Sequence, residues 1–249
     1  MKFSKPQCAK DRIILALDVD RIEDAQELVE ELKDYVGFFK VGLQLFTSCG
    51  YKPFEMIKAH GAKAFFDGKF HDIPNTVARA CVNLLDNGID FFDVHTSGGS
   101  KMLGTTVKLA KEYAKKYNMP EPVIIGVTLL SSFGQKTLTT ELGVDKSLET
   151  YVLNLAETAK KTGLDGVLAS AAEAKEIRKH MGNDFIIICP AIRPTWSVVN
   201  DQIRVVTPTD AIKSGVDYMV IGRPITQAEN RVSAVKLIID EIESASNLI

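Results

Sequence analysis

No run of about 18 apolar residues, the length a membrane-crossing helix needs, occurs anywhere in the 249 residues, so the sequence predicts no membrane span. The opening MKFSKPQCAKDR has early lysines but no apolar segment after them, so it does not read as a secretion signal. Cysteine is sparse and scattered. Cys8, Cys49, Cys81 and Cys189 form no CxxC pair, which argues against a disulfide framework or thiolate metal site and predicts free thiols in a reducing cytoplasm. The four histidines (His60, His71, His95, His180) form no HExxH or other close metal spacing. His71 beside Asp72 comes nearest to a ligand pair, but a solvated or supporting histidine is the commoner role, and no metal is expected. Charge of one sign is also missing: the formal net charge of -2 gives no reason to expect nucleic acid or an anionic membrane as partner. No linker, charge block, low-complexity stretch or exact internal repeat interrupts the chain, so residues 1–249 are expected to form one domain, with 1–11 as an N-terminal extension.

What is present is an alternation. Short apolar runs lie at 13–18, 37–43, 63–69, 90–95, 123–128, 165–169, 185–189 and 217–222. Longer amphipathic stretches separate them. Ile22, Ala25, Leu28, Val29 and Leu32 recur at helical spacing, as do Leu148, Tyr151, Val152, Leu155 and Ala159, and finally Val232, Val235, Ile238, Ile239 and Ile242. Pro74 falls where the third helix should begin, a position at which its missing N–H costs nothing. Continuous apolar strands alternating with helices indicate a parallel sheet covered on both faces. Eight such units of about 31 residues favour an α/β (β/α)8 barrel, the TIM-barrel fold, over an open sheet.

In such a barrel the chemistry sits at the carboxyl ends of the strands, and the polar residues collect there. Asp18 ends the first run, Asp67 and Lys69 the third, and His95 the fourth; Thr128, Ser131 and Ser132 follow the fifth, Arg193 the seventh and Gly222-Arg223 the eighth. Lys40, inside FFKVGL, needs a partner or a substrate, because an unpaired buried charge is costly. An ion pair that merely orders the core would satisfy it as well.

FFDGKFHDIPNT (65–76) carries the most information. Asp67 and Lys69 are two apart, so on a strand both face the barrel interior, with Asp72 on the loop beyond. Carboxylates interleaved with lysines keep the amines protonated, which suits a lysine that delivers a proton to carbon. The plainer alternative is a charged loop in which Asp72 favours the positive end of a helix. VIGRPI has the glycine-then-helix arrangement that presents backbone N–H groups to a phosphate, and Arg223 adds a forked cation. The polar stretch 193–202, with the single tryptophan Trp196, is either packing or a lid.

Asp18 within ALDV, Lys40 within FKVGLQLF, FFDGKFHDIPNT, VHTSGG, PAIRP, DQIRVVTP and VIGRPI together resemble the orotidine 5′-phosphate decarboxylases, in order and spacing, from the first strand to the eighth. The DxKxxDIPNT block is the specific part; the GRPI end is shared by more distant barrels. The resemblance implies conversion of orotidine 5′-monophosphate to UMP without a cofactor, in the last step of de novo pyrimidine nucleotide synthesis. Lys69 would protonate C6 of the pyrimidine, Asp67 would stand by the scissile carboxylate, and Lys40 and Asp18 would bind the ribose hydroxyls. Asp72, Ile73 and Thr76 would reach into a neighbouring subunit's site across a homodimer interface. Ser131 would meet the pyrimidine edge, and Arg193, Gln202, Gly222 and Arg223 would hold the phosphate. Three positions depart from the family pattern: Gly68 where Leu is commoner, Ser131 where many members carry Thr, and Ala191 where PGIRP has Gly. None removes a chemical group the reaction uses.

Two other functions compete. A relative with a DxKxxD strand acts on a sugar phosphate with Mg²⁺; the IPNT extension and the ALDV start argue against it. A non-catalytic phosphate-binding barrel would have no use for Asp67, Lys69 and Lys40 buried together.

Overall fold

A computed structural model of the chain describes residues 5–197 and 206–247. Eight parallel strands close into a barrel in sequence order: β1 Ile13–Ala16, β2 Phe38–Gly42, β3 Ala64–Phe70, β4 Phe91–His95, β5 Val123–Val127, β6 Gly166–Leu168, β7 Ile186–Cys189 and β8 Tyr218–Ile221. β1 pairs with β8 through Ile14 opposite Val220, which completes the ring. The (β/α)8 expectation is met, and each apolar run became a strand within two residues at either end.

Among the described residues ten α-helices surround the barrel: α1 Ile22–Leu32, α2 Leu43–Cys49, α3 Lys52–Ala59, α4 Pro74–Asp86, α5 Gly99–Lys116, α6 Leu148–Lys161, α7 Ala171–Met181, α8 Pro208–Lys213, α9 Arg223–Thr226 and α10 Arg231–Ser246. The three predicted stripes became α1, α6 and α10, with Ala25, Leu28, Val29 and Leu32 buried on α1. Caps fix several starts. The Ser147 side chain accepts the Thr150 N–H at α6, Thr207 accepts the Asp210 N–H at α8, and Asn230 accepts the Ser233 N–H at α10. Pro74 does occupy the first turn of its helix, but that helix is the fourth rather than the third. The segment after β2 divides because Gly50, at φ 61°, ends α2 in a conformation only glycine adopts freely, and Pro53 starts α3.

Two apolar layers result. One lies between sheet and helices and contains Leu15, Val29, Phe66, Ile187 and Ile238; the other fills the barrel with Ile14, Phe38, Phe65, Phe91, Ile125, Ile188 and Tyr218. At the amino-terminal end, Arg178 donates to Asp217 (2.6 Å) and to the Gly215 and Phe185 carbonyls, tying α7 to the strands beside it. Among the described residues no helix is long and apolar enough to cross a membrane, and none of the four cysteines is joined in a disulfide.

Candidate active site

Strand alternation decides which side chains enter the barrel. Phe38 and Lys40 share one side of β2, Phe65 and Asp67 one side of β3, and Phe91, Asp93 and His95 one side of β4. Phe38, Phe65, Phe91 and Tyr218 pack ring against ring. Lys40, Asp67 and Asp93 come next along their strands and form a buried charged layer above this aromatic floor.

Lys40 Nζ lies 3.1 Å from Asp18 Oδ1 and 3.2 Å from Asp67 Oδ2. The other carboxylate oxygen of Asp67 pairs with Lys69 Nζ. Charges therefore alternate along Asp18, Lys40, Asp67 and Lys69. Burial alone would push the Lys40 ammonium down, but Asp67 and Asp18 outweigh it and hold its pKa above the ordinary value. Burial likewise disfavours ionised Asp67, yet Lys40, a hydrogen bond with Asp93, and Lys69 together keep its pKa below the usual carboxylate range. Lys40 thus has its partners, and it also faces a cavity.

Asp67 and Lys69 do meet, but not by plain alternation. The ladder between β3 and β4 shifts register between Phe66 and Phe70, and within that irregularity Lys69 has φ 49°. A left-handed conformation costs a residue with a Cβ about 1–2 kcal/mol, and such strain concentrates at functional sites. Gly68, the departure beside it, also has a local reason. A Cβ there would stand 3.0 Å from the Phe66 ring and 3.1 Å from that of Phe70, so the two aromatics fill space that a larger residue at 68 would need.

The cavity above the charged layer measures about 210 Å³, and its lining includes Asp18, Lys40, Asp67 and Lys69 together with Ser131, Arg193, Gly222 and Arg223. Arg193 is buried, and its backbone N–H donates to the Val206 carbonyl at 2.9 Å. Gly222 precedes α9, the single-turn helix that follows the last strand. Asp72, Ile73 and Thr76 are exposed at the rim, outside the cavity lining, and Asp72 accepts the N–H of Ile73 (2.6 Å). Gln202 and the end of the 193–202 stretch, from 198, lie outside the described residues. Thr128 uses its hydroxyl on the Leu168 carbonyl at 3.0 Å. A larger cleft, about 700 Å³, opens at the amino-terminal ends of the strands. Its cations are engaged, Lys111 with Glu121 (3.2 Å) and Lys160 with the Met181 carbonyl (2.7 Å), and barrel chemistry belongs to the other end.

Two residues that sequence reasoning passed over stand in the site. Gly42 leaves the space into which the Lys40 amine projects: a Cβ there would lie 2.8 Å from Lys40 Nζ. Asp93, fully buried, accepts the Lys69 N–H through Oδ1 at 2.7 Å. The signal for each was available, since a glycine inside a strand marks a close approach and a charge inside an apolar run needs a partner. His95 stacks on His71 with ring centroids 5.5 Å apart; burial first, then His71 and Lys69, push its pKa down, leaving a neutral ring at neutral pH. Ala191, in place of the family's glycine, has φ 64°, which explains why glycine suits that position.

Comparison with known proteins agrees with this geometry. Residues 11–238 match the family model "Orotidine 5'-phosphate decarboxylase / HUMPS family". The orotidine 5′-phosphate decarboxylase of Moorella thermoacetica is 45% identical over 235 residues, covering 94% of this chain and 93% of that protein. That of Syntrophomonas wolfei is 47% identical over 236 residues, covering 94% and 99%. The crystal structure of orotidine 5′-phosphate decarboxylase from Lactobacillus acidophilus superposes with a TM-score of 0.81 at 33% identity, covering 96% of this chain and 99% of that one. With its barrel, its charged array and relatives matched over nearly their whole length, the chain belongs to the orotidine 5′-phosphate decarboxylase / HUMPS family.

Proposed function

We propose that the chain is a carboxy-lyase that converts orotidine 5′-monophosphate to UMP and CO2, working in the cytoplasm as a homodimer. The observation that carries this reading is the alternating array of Asp18, Lys40, Asp67 and Lys69 at the barrel mouth, lining one cavity with Arg223. The phosphate binds at Arg193, Gln202, Gly222 and Arg223, where a guanidinium suits a dianion. The ribose hydroxyls meet Asp18 and Lys40, and Ser131 meets the pyrimidine edge. The C6–carboxylate bond breaks, CO2 leaves, and the electron pair stays on C6. The Lys69 ammonium stabilises that charge as it develops, donates a proton to C6, and is reprotonated from solvent. Asp67, held ionised by its two lysines, pairs with Lys69 and stands beside the departing carboxylate.

The exposed rim supports the dimer. Ile73 (67% exposed) and Leu43 (55%) leave large apolar side chains bare at the carboxyl ends of β3 and β2. A neighbour covering them would bring Asp72, Ile73 and Thr76 within reach of its own site.

The test is loss of orotidine 5′-monophosphate absorbance in the ultraviolet, with and without a metal chelator. Turnover that persists in chelator is expected. No turnover, or metal-dependent turnover of a sugar phosphate instead, overturns the reading.

A further inference from the structure

β3 and β4 part company beside the catalytic pair. Phe66 is opposite Phe92 and Phe70 opposite Val94, so Asp67, Gly68 and Lys69 all face the single residue Asp93. An irregularity of this kind leaves strand N–H groups without their ladder partners and re-aims side chains. Here the Asp93 side chain replaces one partner: Oδ1 accepts the Lys69 N–H at 2.7 Å, at the residue whose backbone is left-handed. No N–H or hydroxyl donor among the described residues reaches the other oxygen, Oδ2, although the carboxyl is fully buried. The acidic group that interacts with this carboxyl is Asp67, and two ionised carboxylates cannot hydrogen-bond to each other.

We propose that Asp93 is a positioning residue, a neutral carboxylic acid that accepts the Lys69 N–H with one oxygen and donates its proton to Asp67 with the other. It thereby holds the proton donor and its counter-ion in register across the break in the ladder. Burial first, and then the charge of Asp67, raise the Asp93 pKa well above the usual carboxylate range against the opposing pull of Lys69. Cys81, on α4, is the other titratable group facing Asp93; burial and Asp93 push its thiol to about 12, so it brings no charge. The catalytic part of this proposal rests on the decarboxylation reading above, so wild-type turnover is measured first; its absence would count against that reading, not against Asp93.

Asp93→Asn keeps an oxygen for the Lys69 N–H and supplies an N–H for Asp67, whereas Asp93→Ala keeps neither. Asp93→Ala is expected to lose about tenfold or more in kcat while UMP affinity stays within about threefold, because the interaction lost acts on the chemical step. Asp93→Asn is expected to retain wild-type kcat across pH 6–9. Unchanged kcat in Asp93→Ala, or equal losses in both variants, overturns the positioning role. If Asp93→Ala does not fold, Asp93→Ser, which is too short to bridge Lys69 and Asp67, takes its place in the comparison. Urea unfolding tests the neutral acid without using activity. A folded-state pKa raised above the unfolded value near 3.9 means that wild-type stability falls as pH rises above about 4, by up to about tenfold in the folding equilibrium per pH unit, until the folded-state pKa is reached. Asp93→Asn has no such loss, so its advantage over wild type should grow from pH 4 to 8. A constant difference overturns the neutral acid.

Discussion

Gly42 and Lys40 are placed so that the absence of one side chain sets the position of the other. A Cβ on Gly42 would stand 2.8 Å from Lys40 Nζ and 3.5 Å from Asp18 Oδ1, inside the space that the Lys40–Asp18 pair occupies. The atom in the way is the end of a flexible side chain, so a methyl group would displace the amine more readily than the strand. Gly42→Ala should therefore fold with a thermal midpoint close to wild type, yet lose about tenfold or more in kcat/KM through misplacement of Lys40. Steady-state kinetics alongside a melting curve check this; wild-type kcat/KM would mean that Lys40 does not need its observed position.

Arg223 and the array around Lys69 line one cavity, and a phosphate grip can be tested apart from the chemistry. Arg223→Ala should sharply lower kcat/KM for the nucleotide while leaving the slow reaction of the free nucleoside almost unchanged, since only the nucleotide carries the phosphate. The two substrates compared on one preparation give the answer. Equal losses would assign Arg223 a structural role.

Lys69 lines its own chain's cavity whereas Asp72 does not, and a two-fold dimer would make the exchange of Asp72 reciprocal. Lys69→Ala and Asp72→Ala homodimers should each be inactive. After subunit exchange, each mixed dimer would carry one site with both lesions and one with neither. Random equimolar exchange would thus restore about a quarter of all sites by symmetry. Activity that stays at zero once mass spectrometry shows mixed dimers would put Asp72 in its own chain's site.

Ala191 holds a left-handed backbone at φ 64° although it carries a Cβ. Ala191→Gly should relieve that strain, partly offset by the greater freedom of glycine in the unfolded chain. The expected net gain is up to about 1 kcal/mol in urea unfolding. A loss of stability would mean that the Ala191 methyl contributes more by packing than its backbone costs.

The barrel was legible because its signals are periodic. Ile22 to Leu32 repeat at helical spacing, runs such as VIIGV have the unbroken apolar character of a strand covered on both faces, and eight of them in series leave few topologies. Lys40, Asp67 and Lys69 stood out as charges in apolar surroundings, and the DxKxxDIPNT pattern gave them roles through family resemblance. Asp93 was missed although it has the same signature, a charge within FFDVH, because its importance depends on a register shift in the neighbouring strand, and register between strands distant in sequence leaves no local mark. Gly42 was missed for a related reason: its meaning lies in where the Lys40 side chain bends back. The extra helix after β2 was hidden because α2 and α3 are short and nearly contiguous, with Gly50 as the only break.

The aromatic floor under the charged layer has a consequence for traffic through the site. Phe38, Phe65, Phe91 and Tyr218, each at most 8% exposed, pack inside the barrel between the cavity and its amino-terminal end. Among the described residues, the cavity opens at the carboxyl ends of the strands. On the proposed reaction, CO2 would share its exit with the nucleotide, and as the smaller, uncharged product it would leave while the phosphate is still held. Solvent would use that opening too, so a bound nucleotide would stand between bulk water and the carbanion that Lys69 is proposed to protonate.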